Sequence, residues 1–355
     1  MSFFTEEHEK RKLPEILRFK DGTPLTSPDE WEKRRLEMID LVGENMFGKM
    51  PPKFPVRAEL VGTNDRVVGK KVVFNEYIMF IDTPKGTAHF TFYEYRPKDK
   101  TNVPTFVHIA FKPEAPHRYT PVEQIIDRGF GIVLAYQTDV TSDDGDFSSG
   151  IAKYLPRSVY NIGKITLWAY AQSCLVDHVM TLDWVDKTKI ASIGHSRLGK
   201  TSLWCAANDT RITYCVSNNA GCSGDAVTRQ KRGETLKQIY NRFPYWFVEK
   251  YGTYQDDVDA LPFDQHFVLA AIAPRKLAVG SADLDVWADP HSQLLACMEA
   301  TKAYKFLGMK GLVCEDRLPT PGDVWQDGDI SFHETPFGHL LGSYDWDRYM
   351  DFIEK

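Results

Sequence analysis

The chain carries no basic excess: 43 Lys and Arg stand against 49 Asp and Glu, a formal net charge of −6. A nucleic-acid binder needs a basic face to displace counterions from phosphates, so nucleic acid is not expected as a partner. Long apolar runs are also missing. Charged residues begin at Glu6 in the opening MSFFTEEHEKRKLPEILRFKDG, which leaves no room for a secretory apolar region, and no stretch approaches the roughly 18 apolar residues of a membrane span. The six cysteines (Cys174, Cys205, Cys215, Cys222, Cys297 and Cys314) form no CxxC pair and show no metal-like spacing with histidine. Scattered thiols of this kind point to free cysteines in a reducing compartment. The expectation is a cytoplasmic protein with no membrane partner, no metal and no cofactor.

Internal repeats, low-complexity segments and Pro/Gly/Ser linkers are absent too. A chain of 355 residues could hold one large α/β domain or two ordinary ones, and the lack of a linker favours a single domain over 1–355. With 43% hydrophobic and 26% charged residues it can bury a substantial core. Aromatics make up 13%; they suit a sugar-binding cleft, although packing is the commoner use. Residues 1 to about 55 read as a helical arm. Ser27, followed by Pro28, Asp29 and Glu30, is a helix start with a hydroxyl cap, proline in the first turn and early acidic residues.

Strands follow. KVVFNEYIMFID and TAHFTFYEYRP alternate and flank TPKG, which predicts an antiparallel hairpin. VPTFVHIAF and FGIVLAYQT are continuous apolar runs of the kind a parallel sheet buries on both faces. NIGKITLWAYAQSCLVDHVMTLDWV then reads as a long amphipathic helix, KIASIGHS as a strand, RLGKTSLWCAAND as a helix, and ITYCVSNN and RKLAVGSAD as further strands. HSQLLACMEATKAYKFLG is the next helix, before GDISFHE and YDWDRYMDFIEK. Strands alternating with helices predict a mostly parallel sheet with helices on both faces, a three-layer α/β fold.

The chemistry centres on Gly194-His195-Ser196-Arg197-Leu198-Gly199-Lys200, at a strand-to-helix junction. A serine hydroxyl attacks only when a neighbouring base removes its proton. A sharp turn would lift Ser196 above the sheet, while the helix N-terminus offers N–H groups to an oxyanion. That is the logic of a nucleophile elbow. The usual elbow has glycine two residues after the serine; here Leu198 holds that place and Gly199 follows, so an ordinary helix cap is the competing reading. Partners downstream favour the elbow, because nucleophile, acid and base should follow in that order. Gly338-His339 sits in a loop before the last helix and supplies the base, with His333 in reserve. The loop after RKLAVGSA offers Asp283, Asp285 and Asp289; Asp285 is the first choice for the acid and Asp283 the second, while Asp289 before Pro290 looks like a helix cap.

GHSRLGK is similar to the G-C-S-R-x-G-K signature of the glucuronoyl esterase family, carbohydrate esterase family 15, within the α/β-hydrolase superfamily. Further segments resemble its bacterial members: LRFKDGTPLTSPDEWEKRRLEMIDL, NNAGCSGDAVTR, RGETLKQIYNRFPYWF, LPFDQHFVLAAIAPRKL, DVWADP and FGHLLGSYDWDRYMDF. The resemblance implies Ser196 as nucleophile, His339 as base and Arg197 as an oxyanion stabiliser. It also implies Lys200 as a donor to sugar hydroxyls, with Glu234 and Trp287 lining the sugar site. Two departures stand out. His195 replaces the cysteine that fungal members tie into a disulfide, and Asn219 replaces their catalytic glutamate, so the acid must come from the Asp285 loop. Two functions follow: an esterase on uronic-acid or acetylated sugars, of small or oligosaccharide size, or a catalytically weak relative that binds sugar.

Overall fold

The computed structural model describes residues 2–111 and 114–355. Its frame is a ten-stranded sheet in the order β1-β2-β3-β5-β4-β6-β7-β8-β10-β9. The strands are β1 (Val56–Asn64), β2 (Val72–Thr83), β3 (Gly86–Pro97), β4 (Val103–Ala110), β5 (Gly131–Tyr136), β6 (Val185–His195), β7 (Tyr214–Asn218), β8 (Lys276–Ala282), β9 (Val324–Trp325) and β10 (Ile330–Thr335). Strands β5, β4, β6, β7, β8 and β10 run parallel. Strands β1 to β3 extend one side antiparallel, and β9 closes the other.

The expected hairpin is β2–β3, paired from Val72–Pro97 to Thr83–Gly86 across its two-residue tip. The apolar runs are central parallel strands, and every residue of β5 is buried. Polar ladder groups inside such strands are all satisfied by neighbours, so apolar side chains can occupy both faces. One face packs against helices Lys164–Val179, Arg197–Asn208 and Pro290–Phe306, and the other against Val122–Asp127 and Ser343–Glu354. This is the α/β-hydrolase arrangement of three layers.

Residues ahead of β1 form helices Phe3–Arg11 and Trp31–Val42. Ser27 caps as expected: its hydroxyl accepts from Asp29 N at 3.4 Å, while the Glu30 carboxylate accepts from Ser27 N at 3.1 Å. The arm is part of the core, with Ile16, Trp31, Met38 and Phe47 buried. It also corrects one expectation. Helix Lys164–Val179 reads as amphipathic, yet Asp177 alone escapes full burial. The arm covers its outer face, where Thr166 Oγ1 donates to Phe47 O at 2.7 Å and Tyr170 OH to Pro52 O at 3.1 Å. Strand β1 was not evident from the sequence, because an edge strand that exposes most of its residues shows no apolar alternation.

Candidate active site

The loops at the carboxyl ends of β6, β7, β8 and β10 converge, where open α/β sheets bind their ligands. Between β6 and helix Arg197–Asn208 stands Ser196, with φ 58° and ψ −127°. A non-glycine residue holds such a backbone only where its surroundings impose it. Gly194 shows what imposes it: a Cβ there would lie 1.8 Å from Leu198 O, so the helix's first turn passes directly over the strand end. The late glycine has its own contact, since a Cβ on Gly199 would come within 2.9 Å of Ala220 Cβ. Glycine is required where this helix crosses the end of β7, and here the crossing falls one residue later than usual. Gly199 N and Lys200 N bond to Ser196 O at 2.9 and 3.3 Å. The N–H groups of Arg197 and Leu198, at the positive end of the helix, lie outside the helical ladder and face ahead of it.

His339 lies in the loop after β10 and keeps a side chain 46% exposed. Its Nδ1 is 2.6 Å from Asp285 Oδ2. Asp285 is buried, and its other oxygen accepts from Ala288 N at 3.2 Å, which fixes the carboxylate's rotation. A carboxylate at Nδ1 selects the tautomer with the proton there and leaves Nε2 as the basic nitrogen. Ser196, Asp285 and His339 line one cleft of about 340 Å³. Asp283 is exposed at the end of β8. Asp289 caps helix Pro290–Phe306, accepting from Ser292 N at 3.3 Å. His333 is fully buried within β10 and held by Asp345 at 2.9 Å.

His195 is packed under this assembly. Its Nδ1 lies 2.6 Å from Asn218 Oδ1, and its ring centroid is 4.5 Å from that of His339. Burial, then the neighbouring His339, pushes its pKa down to about 3, so the ring stays neutral. Asn219 also lines the cleft, directly after β7, with φ 47°. Its Nδ2 donates to Leu340 O at 3.2 Å and so ties the His339 loop to the end of β7.

The remaining expected residues gather in the same cleft. Arg197 contacts Asp143, and its guanidinium lies over the Trp246 ring at 4.8 Å. The Lys200 ammonium is buried and donates to Ala220 O. Burial lowers its pKa, and the Glu234 carboxylate opposes that shift by holding the positive form. Glu234 and Trp287 sit on adjacent loops, joined by Glu234 N to Trp287 O at 3.1 Å. Gly233 permits the contact: its φ is +68°, and a Cβ would meet Val286 O at 2.3 Å. Trp287 exposes 48% of its surface, so its ring is free to stack.

Several contributors were not singled out from the sequence. Asp143, Arg242, Phe243 and Trp246 surround Arg197 or the cleft mouth. Asp225 is buried and accepts from Ser217 Oγ (2.7 Å), Gly221 N (2.6 Å) and Gln293 Nε2 (2.8 Å), shaping the turn that carries Asn219 to Cys222. Burial raises its pKa. Trp246 and Phe243 lay within a recognised segment but carried no local pattern that separates a cleft wall from a core aromatic.

Residues 95–308 match the family described as glucuronyl esterase, fungi. A carbohydrate esterase from an unknown prokaryotic organism is 32% identical over 97% of this chain and 89% of its own length. A 4-O-methyl-glucuronoyl methylesterase of Schizophyllum commune is 28% identical over 84% of this chain and 74% of its own. The solved glucuronoyl esterase of Solibacter usitatus superposes with a TM-score of 0.87 at 27% identity, covering 96% of this chain and 97% of that one. With an elbow serine, a carboxylate-held histidine and these relatives along nearly its whole length, the chain belongs to the glucuronoyl esterases of carbohydrate esterase family 15, a family of carboxylic ester hydrolases with the α/β-hydrolase fold.

Proposed function

We propose that the chain hydrolyses carbohydrate esters of the glucuronoyl type through an acyl-enzyme formed on Ser196. One observation supports this reading above the others: the 2.6 Å contact of His339 Nδ1 with buried Asp285, in a cleft that Ser196 also lines. His339 Nε2 takes the hydroxyl proton as Ser196 Oγ attacks the ester carbonyl. Negative charge then develops on the carbonyl oxygen, next to the Arg197 guanidinium and the N–H groups that open the helix. When the carbon–oxygen bond to the alcohol breaks, His339 returns the proton to the leaving oxygen. Water, deprotonated by His339, attacks the acyl carbon, and Ser196 leaves with its proton restored. Asp285 holds the imidazole and stabilises its charged form throughout.

Lys200 and Glu234 offer a donor and an acceptor to sugar hydroxyls, and Trp287 a stacking face. Six unpaired cysteines among the described residues support a reducing compartment, where esters of small or oligosaccharide size would be met rather than polymeric cell wall. Methyl glucuronate hydrolysis, with acetylated sugars and aryl acetates beside it, tests the reading. Turnover of methyl glucuronate that falls at least about 10⁴-fold in Ser196→Ala is expected. Faster turnover of acetylated sugars would make this an O-acetyl esterase. Failure of a fluorophosphonate to label Ser196 would leave only a sugar-binding relative.

A further inference from the structure

We infer that Asp143 is a positioning residue for the oxyanion arginine, Arg197, and acts through a clamp built on the loop after β5. The inference rests on the proposed role of Arg197. Asp143 does not line the cleft, yet both of its carboxylate oxygens are committed to residues that do. One accepts from the Arg197 guanidinium, and the other accepts from Trp246 Nε1 at 2.7 Å. The backbone carbonyl of Asp143 accepts from Tyr245 OH at 3.0 Å, so the loop is also tied down behind the carboxylate. Trp246 stacks on Phe243 with ring centroids 3.8 Å apart and an interplanar angle of 5°. The guanidinium carbon stands 4.8 Å from the Trp246 centroid and 5.5 Å from those of Phe243 and Phe111. Arg197 is thus held from one side by a carboxylate that also orients its aromatic platform.

The clamp has its own anchor. Lys164, fully buried in the first turn of its helix, donates to Thr141 Oγ1 at 2.8 Å, to Ser142 Oγ at 3.3 Å and to Asp146 O. Those acceptors bracket Asp143 on both sides in the chain. A buried ammonium is tolerated when its hydrogens are spent on acceptors, so these three contacts tether the loop that supplies them. The energetic logic follows. A free arginine samples many rotamers, and a guanidinium that must swing into place stabilises a transient charge poorly. Asp143 uses part of the donor fork and leaves Nε–H, which is buried without a partner, unspent. The clamp lowers the net positive charge at the site but fixes where that charge stands, and placement before the reaction is what lowers the barrier.

The test uses the 355-residue chain and methyl glucuronate. Asp143→Asn keeps size and can still accept from Trp246 but loses the ion pair. It is expected to lower kcat by roughly tenfold with KM within about twofold, because the clamp acts on the reacting charge and not on sugar binding. The decisive arm is the same substitution in an Arg197→Ala background, where it should cost nothing further. An equal loss in both backgrounds, or wild-type kcat in Asp143→Asn, overturns the clamp. Asp143→Glu, with charge restored on a longer stem, should recover part of kcat; a purely structural role would predict no recovery over Asn. Arg197→Ala at wild-type activity would instead overturn the oxyanion role of Arg197, so the two failures read differently.

Discussion

Asp285 and His339 are 54 residues apart in the chain and 2.6 Å apart in space, at the ends of the neighbouring parallel strands β8 and β10. The contact pairs a buried carboxylate with an imidazole open to the cleft, which is how a general base is held in one tautomer while its other nitrogen stays available.

Removing that carboxylate's charge should therefore cost activity while leaving the fold intact. Asp285→Asn is expected to lower kcat by about 10²- to 10⁴-fold on methyl glucuronate. Asp283→Asn, on an exposed residue in the same loop, should leave it within about twofold. Comparable losses in both variants would count against Asp285 as the acid.

The elbow is a steric prediction. Gly194→Ala would drive a methyl group to within 1.8 Å of a helix carbonyl that cannot move independently of the helix. A fall in Tm with loss of labelling at Ser196 is expected. Gly199→Ala meets a side-chain methyl at 2.9 Å and should be milder, about 1–3 kcal/mol by denaturant unfolding.

Sugar binding should separate from catalysis at Trp287. The residue is half exposed, so Trp287→Ala should change Tm little and raise KM several-fold. Gly233→Val, which forces apart the loops bearing Glu234 and Trp287, should raise KM further. Steady-state kinetics on a glucuronate ester measures both, and an unchanged KM in Trp287→Ala would remove that ring from the site.

Two buried histidines should weaken the fold on mild acidification. Burial holds His108 at about 4 and His195 at about 3, below the 6.5 of an unfolded histidine. Below pH 6.5 the unfolded chain binds protons at these rings that the folded chain refuses. Their contribution is complete above pH 6.5 and diminishes as pH falls toward 4 and 3, at a limiting slope of about 1.4 kcal/mol per pH unit for each ring. Denaturant unfolding of His195→Gln between pH 7 and 4.5 should show a shallower decline than the wild type. An identical slope would mean that His195 is protonated in the folded state.

Much of this protein was legible as sequence because the relevant constraints are local. A strand buried on both faces must be apolar throughout, so β4 and β5 stood out. A helix start needs a cap, so Ser27 and Asp289 could be read from their neighbours. A serine forced onto a tight turn needs glycine where the helix passes over the strand, and Gly194 marked Ser196. The helix Lys164–Val179 misled, because the arm that covers it lies more than a hundred residues upstream and leaves no trace in its own periodicity.

What only the tertiary structure decided is pairing at a distance. Three aspartates in one loop are chemically equal until packing buries Asp285 against the end of β8 and leaves Asp283 in water. Asn219 became a tie to the His339 loop because β7 ends beside Leu340. Asp143 carries no motif at all, and its importance appears only when the loop after β5 meets Arg197 and Trp246. The sequence by itself determined the elements and the type of chemistry, since those depend on neighbours along the chain. Which carboxylate meets which base was settled by the register of the parallel strands, which brings the ends of distant segments to one edge.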